Sequence, residues 1–367
     1  MNAPPFDLVV ASRRTLVHGR LRPGWLALRD GHVVRCGVGP APRAAARHDA
    51  GDAPIGPALV DTHVHGFGGH DASSPGVDGL RAMARALMDA GTGAFCPTLY
   101  PLSPEATLER LAAMGEVQKS PQPGEAAIIG AHLEGPFVSP DRPGALEAAA
   151  LRRPDVKLLE RYLDTGMVRV VTLAPELSGA DRLIRACVRA GVVVSMGHSL
   201  ASLEQCRRAA KLGASSVTHV FNAMGAIHHR NATLANFALL EPGFPTELIG
   251  DLQHVSAPAI DLLLRSRGAE GIRLVSDALA AAGTHLRRFR AGGAELKIRD
   301  GIAYKNDGTI AGSARSLASN VAGLWRSGLL SLEEAWAMAS EVPARCVGAV
   351  LVRGYAKIPA DAGRANL

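Results

Sequence analysis

The sequence predicts an α/β protein built around a (β/α)8 TIM-like barrel, with a small β-rich module before it. The chain has 367 residues, which is enough for a barrel of about 250 residues plus an accessory module. From Ile55 onward, short runs of β-branched residues alternate with helical patterns, which is typical of βα units around a parallel sheet. Histidines and carboxylates recur where those runs end.

The first fifty residues read as short strands separated by turns. Apolar runs occur at 8–11, 25–28 and 33–36, and the pair Asp30-Gly31 favours a hairpin turn between the last two. This segment therefore predicts a β-rich module before any helix.

Eight later runs are the predicted barrel strands: Ala58–Asp61, Gly93–Thr98, Ala127–His132, Val168–Leu173, Val192–Met196, Ser216–Val220, Glu247–Gly250 and Ile272–Ser276. Helical spacing occurs between them at Leu80–Ala90, Pro104–Met114, Pro154–Leu163, Ala180–Ala190 and Leu203–Leu212. Eight strands are what a closed barrel requires, although periodicity alone also allows an open, doubly wound sheet. Further on, the turn signal at 299–301 predicts a hairpin between strands Glu295–Ile298 and Ile302–Tyr304.

Composition excludes several classes of function. Apolar residues make up 47% and charged residues 20% of the chain, which is the balance of an ordinary globular protein. The net charge of +6 comes from scattered basic residues, and only 4% of residues are aromatic. These features argue against nucleic acid binding and give weak support to an anionic small-molecule substrate.

The terminal segment and the cysteines indicate the compartment. Neither a signal-peptide pattern nor eighteen consecutive apolar residues occur, so we expect no secretion and no membrane span. The five cysteines are widely spaced and form no CxxC pair, which argues against a disulfide framework and a zinc ribbon. We therefore expect a cytoplasmic protein.

The strongest local motif is Asp61-Thr62-His63-Val64-His65-Gly66, at the end of the first predicted barrel strand. Side chains two residues apart on a strand lie on the same face, so both imidazoles can point into one cavity. An isolated HxH pattern is equally compatible with two ordinary exposed histidines.

Repetition of such residues at other strand ends favours a site. The further candidates are His132, Glu134, Glu176, His198, His219, His254 and Asp277. In a (β/α)8 barrel all of these ends meet at one mouth, where active sites form. Imidazole and carboxylate ligands suit zinc and related divalent ions, which activate water for hydrolysis. A structural role is as good an interpretation for Glu176 and His132 taken individually.

Together these motifs resemble the N-acetylglucosamine-6-phosphate deacetylases, a branch of the amidohydrolase superfamily. The matching segments follow the family's order along nearly the whole chain: 60–66 (VDTHVHG), 132–137 (HLEGPF), 197–199 (GHS), 218–224 (THVFNAM), 228–230 (HHR), 276–278 (SDA) and 308–313 (GTIAGS). The resemblance implies a barrel over residues 54–349 and a small β-sandwich domain made by the chain termini, residues 1–53 and 350–367.

The resemblance also implies roles for individual residues. Glu134, His198 and His219 would be the main metal ligands, and His63 and His65 would hold a second ion, so that each subunit carries one or two divalent ions, most simply Zn²⁺. Asp277 would be the general base and acid. The substrate contacts would be Asn222, Ala223, Arg230, His254 and Ala145, with Arg230 reaching into the neighbouring subunit of a homodimer.

The implied reaction is hydrolysis of N-acetylglucosamine 6-phosphate to glucosamine 6-phosphate and acetate, without an organic cofactor. Three positions depart from the family's pattern. Leu146 replaces a histidine assigned to the substrate carbonyl, residues 231–233 (NAT) replace the usual turn after HHR, and the chain ends where the last strand normally begins. Alternatives therefore stay open: N-acetylgalactosamine 6-phosphate, an unphosphorylated N-acetyl amino sugar, or a catalytically weak binding relative.

Overall fold

Eight parallel strands form a barrel at the centre of the computed structural model, which describes residues 4–74, 76–349 and 352–359. In order around the barrel, strands one to eight are Leu59–Val64, Thr92–Leu99, Ala131–Glu134, Val168–Leu173, Val193–Met196, Ser216–Val217, Thr246–Ile249 and Ile272–Val275. A parallel bridge between Val64 and Ala278 joins the ends of strands one and eight, and Asp277 N–H donates to His63 O over 2.9 Å. The predicted (β/α)8 barrel is confirmed.

A helix follows each barrel strand and returns the chain to the start of the next. These helices are Val77–Asp89, Pro104–Lys119, Val156–Leu163, Ala180–Arg189, Leu203–Lys211, Leu234–Leu240, Ala257–Arg267 and Leu317–Arg326. The five predicted helices are confirmed. Leu203–Lys211 begins at a capping box, in which Ser202 Oγ accepts from Gln205 N–H and Gln205 Oε1 accepts from Ser202 N–H.

Two further helices, Leu332–Ala339 and Glu341–Val347, pack against strands one and eight, and Trp336 donates its indole N–H to Pro57 O. Short 3₁₀ turns occur at Ala148–Ala150 and Ala269–Gly271. None of the helices within the described ranges is both long and apolar enough to cross a membrane.

Strand three differs from its prediction, because two strands replace the single one expected over 127–132. Ala127–Ile128 pairs with strand two, and Ala131–Glu134 pairs with strands two and four. Gly130 separates them with a φ of +124°, which favours glycine, and a Cβ there would lie 2.6 Å from Arg169 Cβ. The break shifts the strand so that Glu134 lies at its end.

The small β domain is a six-stranded sheet. Its strands are Leu8–Val17, Arg20–Arg29, His32–Gly37, Ala46–Asp49, Ile55–Pro57 and Tyr355–Lys357. The first three contain the predicted strands, and Asp30 and Gly31 both have the positive φ of the predicted turn. Tyr355–Lys357 pairs with Ile55–Pro57, so both ends of the chain contribute. The bounds 1–53 and 350–367 stay a prediction, and the last residues, Arg364–Leu367, lie outside the described part.

A four-stranded antiparallel sheet covers one side of the barrel mouth. It consists of Arg288–Ala291, Ala294–Arg299, Ile302–Tyr304 and Ile310–Ser313, and it contains the predicted hairpin. Leu296 and Ala303 of this sheet pack on Leu279, which follows strand eight, and on Tyr100, which follows strand two. The sheet is therefore fixed to the strand ends that carry the candidate site.

Candidate active site

A cavity of about 480 Å³ opens at the carboxyl ends of the barrel strands, where barrels of this type carry active sites. The predicted site residues that line it are His65, Glu134, Ala145, His198, His219, Asn222, Ala223, His254 and Asp277. His63 is fully buried next to them. Arg230 is exposed and does not line the cavity of its own chain.

The strand ends hold three of these side chains on strained backbone. His198, His219 and Asp277 have φ values of +48°, +24° and +47°. Residues other than glycine adopt such values at a cost, and they concentrate at active sites, where the surrounding structure enforces them. The left-handed residues follow strands five, six and eight, and they direct the imidazoles and the carboxylate into one cavity.

Glu134, His198 and His219 converge on one point. Nε2 of each histidine lies 3.1 Å from Glu134 Oε1, and the two nitrogens are 3.0 Å apart. His198 Nδ1 lies 2.9 Å from the carbonyl oxygen of Arg142. That oxygen can only accept, so Nδ1 carries a proton and donates to it, and Nε2 faces the carboxylate.

A second group joins His63 and His65 to the same carboxylate. His65 Nδ1 lies 3.2 Å from Thr98 O, and its Nε2 lies 3.2 Å from Glu134 Oε2 and 3.5 Å from Asp277 Oδ1. His63 Nδ1 lies 3.0 Å from Glu247 Oε2, and its Nε2 lies 3.5 Å from Glu134 Oε1. In His63 and His65, as in His198, Nδ1 lies next to an acceptor and Nε2 faces Glu134.

Both groups fit a divalent metal ion. Each consists of three buried side chains whose ligand atoms lie within 4.8 Å of one another. His63 Nε2 is buried without a hydrogen-bond partner among the described residues. Burial alone would lower the pKa of His63, but Asp277, Glu247 and Glu134 outweigh burial and raise that pKa well above its usual value. The same negative field attracts a metal cation.

Glu134 is held ionised by the histidines around it. Burial would raise the pKa of this carboxyl, but hydrogen bonding and charge interaction with His198, and hydrogen bonding to His219, lower the pKa well below its usual value. The carboxylate thus stays available as a ligand across the neutral range.

Below the site lies a buried ion pair that our sequence interpretation missed. Arg273 Nη2 donates to Glu247 Oε1 over 2.6 Å, and both side chains are fully buried. Glu247 Oε2 accepts from His63 Nδ1 and from His219 N–H. Burial would raise the pKa of Glu247, but Arg273, together with His63 and His132, lowers that pKa. The structure aligns Glu247 of strand seven with Arg273 of strand eight, and the only signal in the sequence was one charged residue in each of these otherwise uncharged predicted strands.

His132 and Glu176 form hydrogen bonds with residues outside the cavity lining. His132 bonds Thr62 O and Thr172 Oγ1 through its two ring nitrogens, and burial lowers its pKa well below the usual value. Glu176 accepts from Ser199 Oγ and Leu200 N–H. Neither residue lines the cavity, so the structural interpretation of each is the one that the geometry favours.

His254 presents an imidazole edge to the cavity. Its Nδ1 donates to Asp251 Oδ2 over 2.7 Å, and its Nε2 is buried without a partner among the described residues. Burial would lower the pKa of His254, but the hydrogen bond to Asp251, together with the charges of Asp251 and Asp277, raises the pKa. The ring is thereby poised to donate from Nε2 to a ligand.

Two more residues that line the cavity, Tyr100 and Arg290, were not predicted from the sequence. Among the described residues that line the cavity, Arg290 is the only arginine or lysine. Tyr100 lines it as well, and its ring stacks on His65 with centroids 4.1 Å apart. Leu146 lines the same cavity and is 7% exposed. No sequence motif marked Tyr100 or Arg290.

The chain is similar to known proteins over most of its length. A family model described as the amidohydrolase family matches residues 55–350. N-acetylglucosamine-6-phosphate deacetylase of Vibrio furnissii is 35% identical over 297 residues, covering 80% of this chain and 73% of that protein. N-acetylgalactosamine-6-phosphate deacetylase of Escherichia coli O157:H7 is 33% identical over 358 residues, covering 95% and 92%.

A solved structure is similar over almost the full chain. It is that of a mutant N-acetyl-D-glucosamine-6-phosphate deacetylase from Mycobacterium smegmatis in complex with N-acetyl-D-glucosamine 6-phosphate. The TM-score is 0.84 at 32% identity, and the match covers 97% of this chain and 93% of that one. This chain belongs to the N-acetylglucosamine-6-phosphate deacetylase family of the amidohydrolases.

Proposed function

We propose that this protein hydrolyses the N-acetyl amide of N-acetylglucosamine 6-phosphate, releasing glucosamine 6-phosphate and acetate. The observation that carries the proposal is the convergence of Glu134, His198 and His219 on one point of the cavity, where Asp277 also lies. Relatives that match most of the chain bear the name of this activity.

Glu134, His198 and His219 are the proposed ligands of one ion, and His63 and His65 complete a second position. Zinc is the proposed metal, since this set of imidazole and carboxylate donors suits it. When bound, such an ion lowers the pKa of water and polarises a carbonyl oxygen.

Asp277 is the proposed proton carrier. Its carboxylate lines the cavity, and Oδ1 lies 3.5 Å from His65 Nε2. As the oxygen of water bonds to the acetyl carbon, Asp277 takes a proton from that water. The carbon–nitrogen bond then breaks while the proton passes to the nitrogen of the departing amine. Acetate and a free amino sugar phosphate result.

The phosphate has several proposed contacts. Asn222, Ala223 and Ala145 line the cavity, and Arg290 and His254 offer it positive charge. Guanidinium suits phosphate because its planar donors engage two oxygens. Arg230 is proposed to reach the partner's cavity in a homodimer, which is compatible with its exposure outside its own cavity.

N-acetylgalactosamine 6-phosphate is the second candidate substrate, because the relative named for it matches 95% of the chain. Acetate release from the two sugar phosphates and from unphosphorylated N-acetylglucosamine separates the candidates. We expect the largest kcat/KM with N-acetylglucosamine 6-phosphate. Binding of these sugars without any acetate release would identify a catalytically weak binding relative instead. The cytoplasmic location stays a prediction.

A further inference from the structure

Tyr100 lies beside the groups of the proposed reaction. Its ring is parallel to the imidazole of His65, with an angle of 2° between the planes. The Nε2 of that imidazole faces Glu134 and Asp277 at 3.2 and 3.5 Å. Tyr100 is therefore one residue away from the carboxylates that face the reacting acyl group in the proposed function.

The hydroxyl group of Tyr100 is unpaired within the described part of the chain. Its oxygen is buried and meets no hydrogen-bond partner there, although buried polar groups almost always have one. The backbone holds the residue in place, since Tyr100 N–H donates to Ser73 Oγ over 3.3 Å. The ring packs with Leu279 and Leu296 under the four-stranded sheet. Because Tyr100 lines the cavity, its unpaired hydroxyl lies in the wall next to a bound ligand.

The carboxylates next to Tyr100 cannot donate when ionised, whereas the Tyr100 hydroxyl, like His254 Nε2, is a buried polar group without a partner among the described residues. The carboxylates of Glu134 and Asp277 only accept when ionised, and the Nε2 atom of His65 faces those two carboxylates. Leu146, which also lines the cavity, has no polar side-chain atom. A neutral phenol hydroxyl can donate a hydrogen bond. Tyr100 is thus a neutral donor beside a set of acceptors.

We propose that the Tyr100 hydroxyl donates a hydrogen bond to the acyl oxygen of the substrate and stabilises the negative charge that develops on it. This role rests on the proposed amide hydrolysis. It makes Tyr100 a further catalytic residue, in a chain whose residue 146 cannot supply such a donor.

Tyr100→Phe tests the proposal because it removes only the hydroxyl and keeps the stacked ring. Loss of one donor to a developing oxyanion typically lowers kcat by about 10² to 10³, and we expect that loss with KM changed little. Bound metal, measured by mass spectrometry, should be unchanged. Tyr162→Phe is the matched control, since Tyr162 is a buried tyrosine that does not line the cavity.

A substrate with an activated acyl group distinguishes a lost catalytic hydrogen bond from a change in packing. On the N-trifluoroacetyl analogue the fluorines themselves stabilise the oxyanion, so the loss in Tyr100→Phe should be much smaller than on the N-acetyl substrate. Equal losses on both, lost metal, or turnover within about threefold of wild type would each overturn the role of Tyr100 while leaving the proposed hydrolysis intact. A wild-type protein that hydrolyses no N-acyl amino sugar would overturn both.

Discussion

Nε2 of His198 lies 3.0 Å from Nε2 of His219, and both face the same oxygen of Glu134. Two imidazole nitrogens and a carboxylate oxygen arranged this closely suit the ligand shell of a divalent cation. We therefore expect the double variant Glu134→Ala, His219→Ala to lose that metal ion, because an incomplete ligand set cannot hold it against water. Metal content per subunit is the measurement. Glu176→Gln, at the same end of the barrel but outside the cavity, should retain the metal, whereas stoichiometric binding by the double variant would refute the ligand assignment.

Asp277→Asn should separate proton transfer from metal binding. The amide has nearly the size of the carboxyl but cannot accept a proton, so kcat should fall by about 10² or more while the substrate still binds. Steady-state kinetics and metal content on the same preparation check this. Unchanged kcat would mean that another group is the base.

The buried pair of Glu247 and Arg273 supports both stability and the second metal position. Glu247→Gln leaves the buried guanidinium without its carboxylate, which should lower the free energy of unfolding by about 3–5 kcal/mol in urea titrations. The variant also removes the carboxylate that orients His63, and loss of such a partner typically weakens metal binding by about 10- to 100-fold.

The double variant Glu247→Gln, Arg273→Met distinguishes these two effects. It should recover much of the stability, because neither charge remains buried, yet its affinity for the second ion should stay low. Full recovery of metal affinity in the double variant would show that Glu247 does not position His63.

His254 should give the protein a pH dependence that depends on Asp251. The raised pKa means that the folded state favours the protonated ring. The stabilisation is therefore complete below the ordinary pKa of about 6.5 and is lost as the pH rises through the higher folded value. Asp251→Asn should move the His254 titration, followed by NMR, to lower pH and abolish this part of the stability profile. An identical titration in the variant would contradict the assigned cause.

Arg290 should distinguish phosphorylated from unphosphorylated substrate. Arg290→Ala should raise KM for the sugar phosphate and leave the weak activity on the unphosphorylated sugar unchanged, since only the phosphate uses the guanidinium. Arg288→Ala is the matched control, because Arg288 lies on the same strand but does not line the cavity. An equal effect of the two substitutions would point to general surface charge.

Local patterns were sufficient to predict the barrel and part of the site. Alternating β and helical runs located the eight strands, and the residues after them, such as His198 and Asp277, follow from the rule that strand ends share one mouth. The spacing of His63 and His65 placed two imidazoles on one face. The ends of the helices were harder to predict from the sequence, because they depend on capping residues. The break at Gly130 was also missed, because it depends on the close approach of Arg169.

Other parts of the site depend on contacts that no local pattern encodes. Glu247 lies in a run that reads as an ordinary buried strand, and its role appears only when strand eight brings Arg273 alongside it. Tyr100 and Arg290 belong to segments 190 residues apart in sequence, and they share a cavity because the four-stranded sheet folds over the mouth. The roles of such residues can be recognised only once the tertiary structure brings distant segments together.

Acetate release from N-acetylglucosamine 6-phosphate by the metal-free protein, before and after zinc is restored, tests the central claim most directly. We expect no release after chelation, recovery when zinc is added to the wild-type protein, and no recovery in the double variant Glu134→Ala, His219→Ala. Full turnover by protein shown to be free of metal, or no turnover by protein shown to be loaded with it, would contradict a metal-dependent deacetylase.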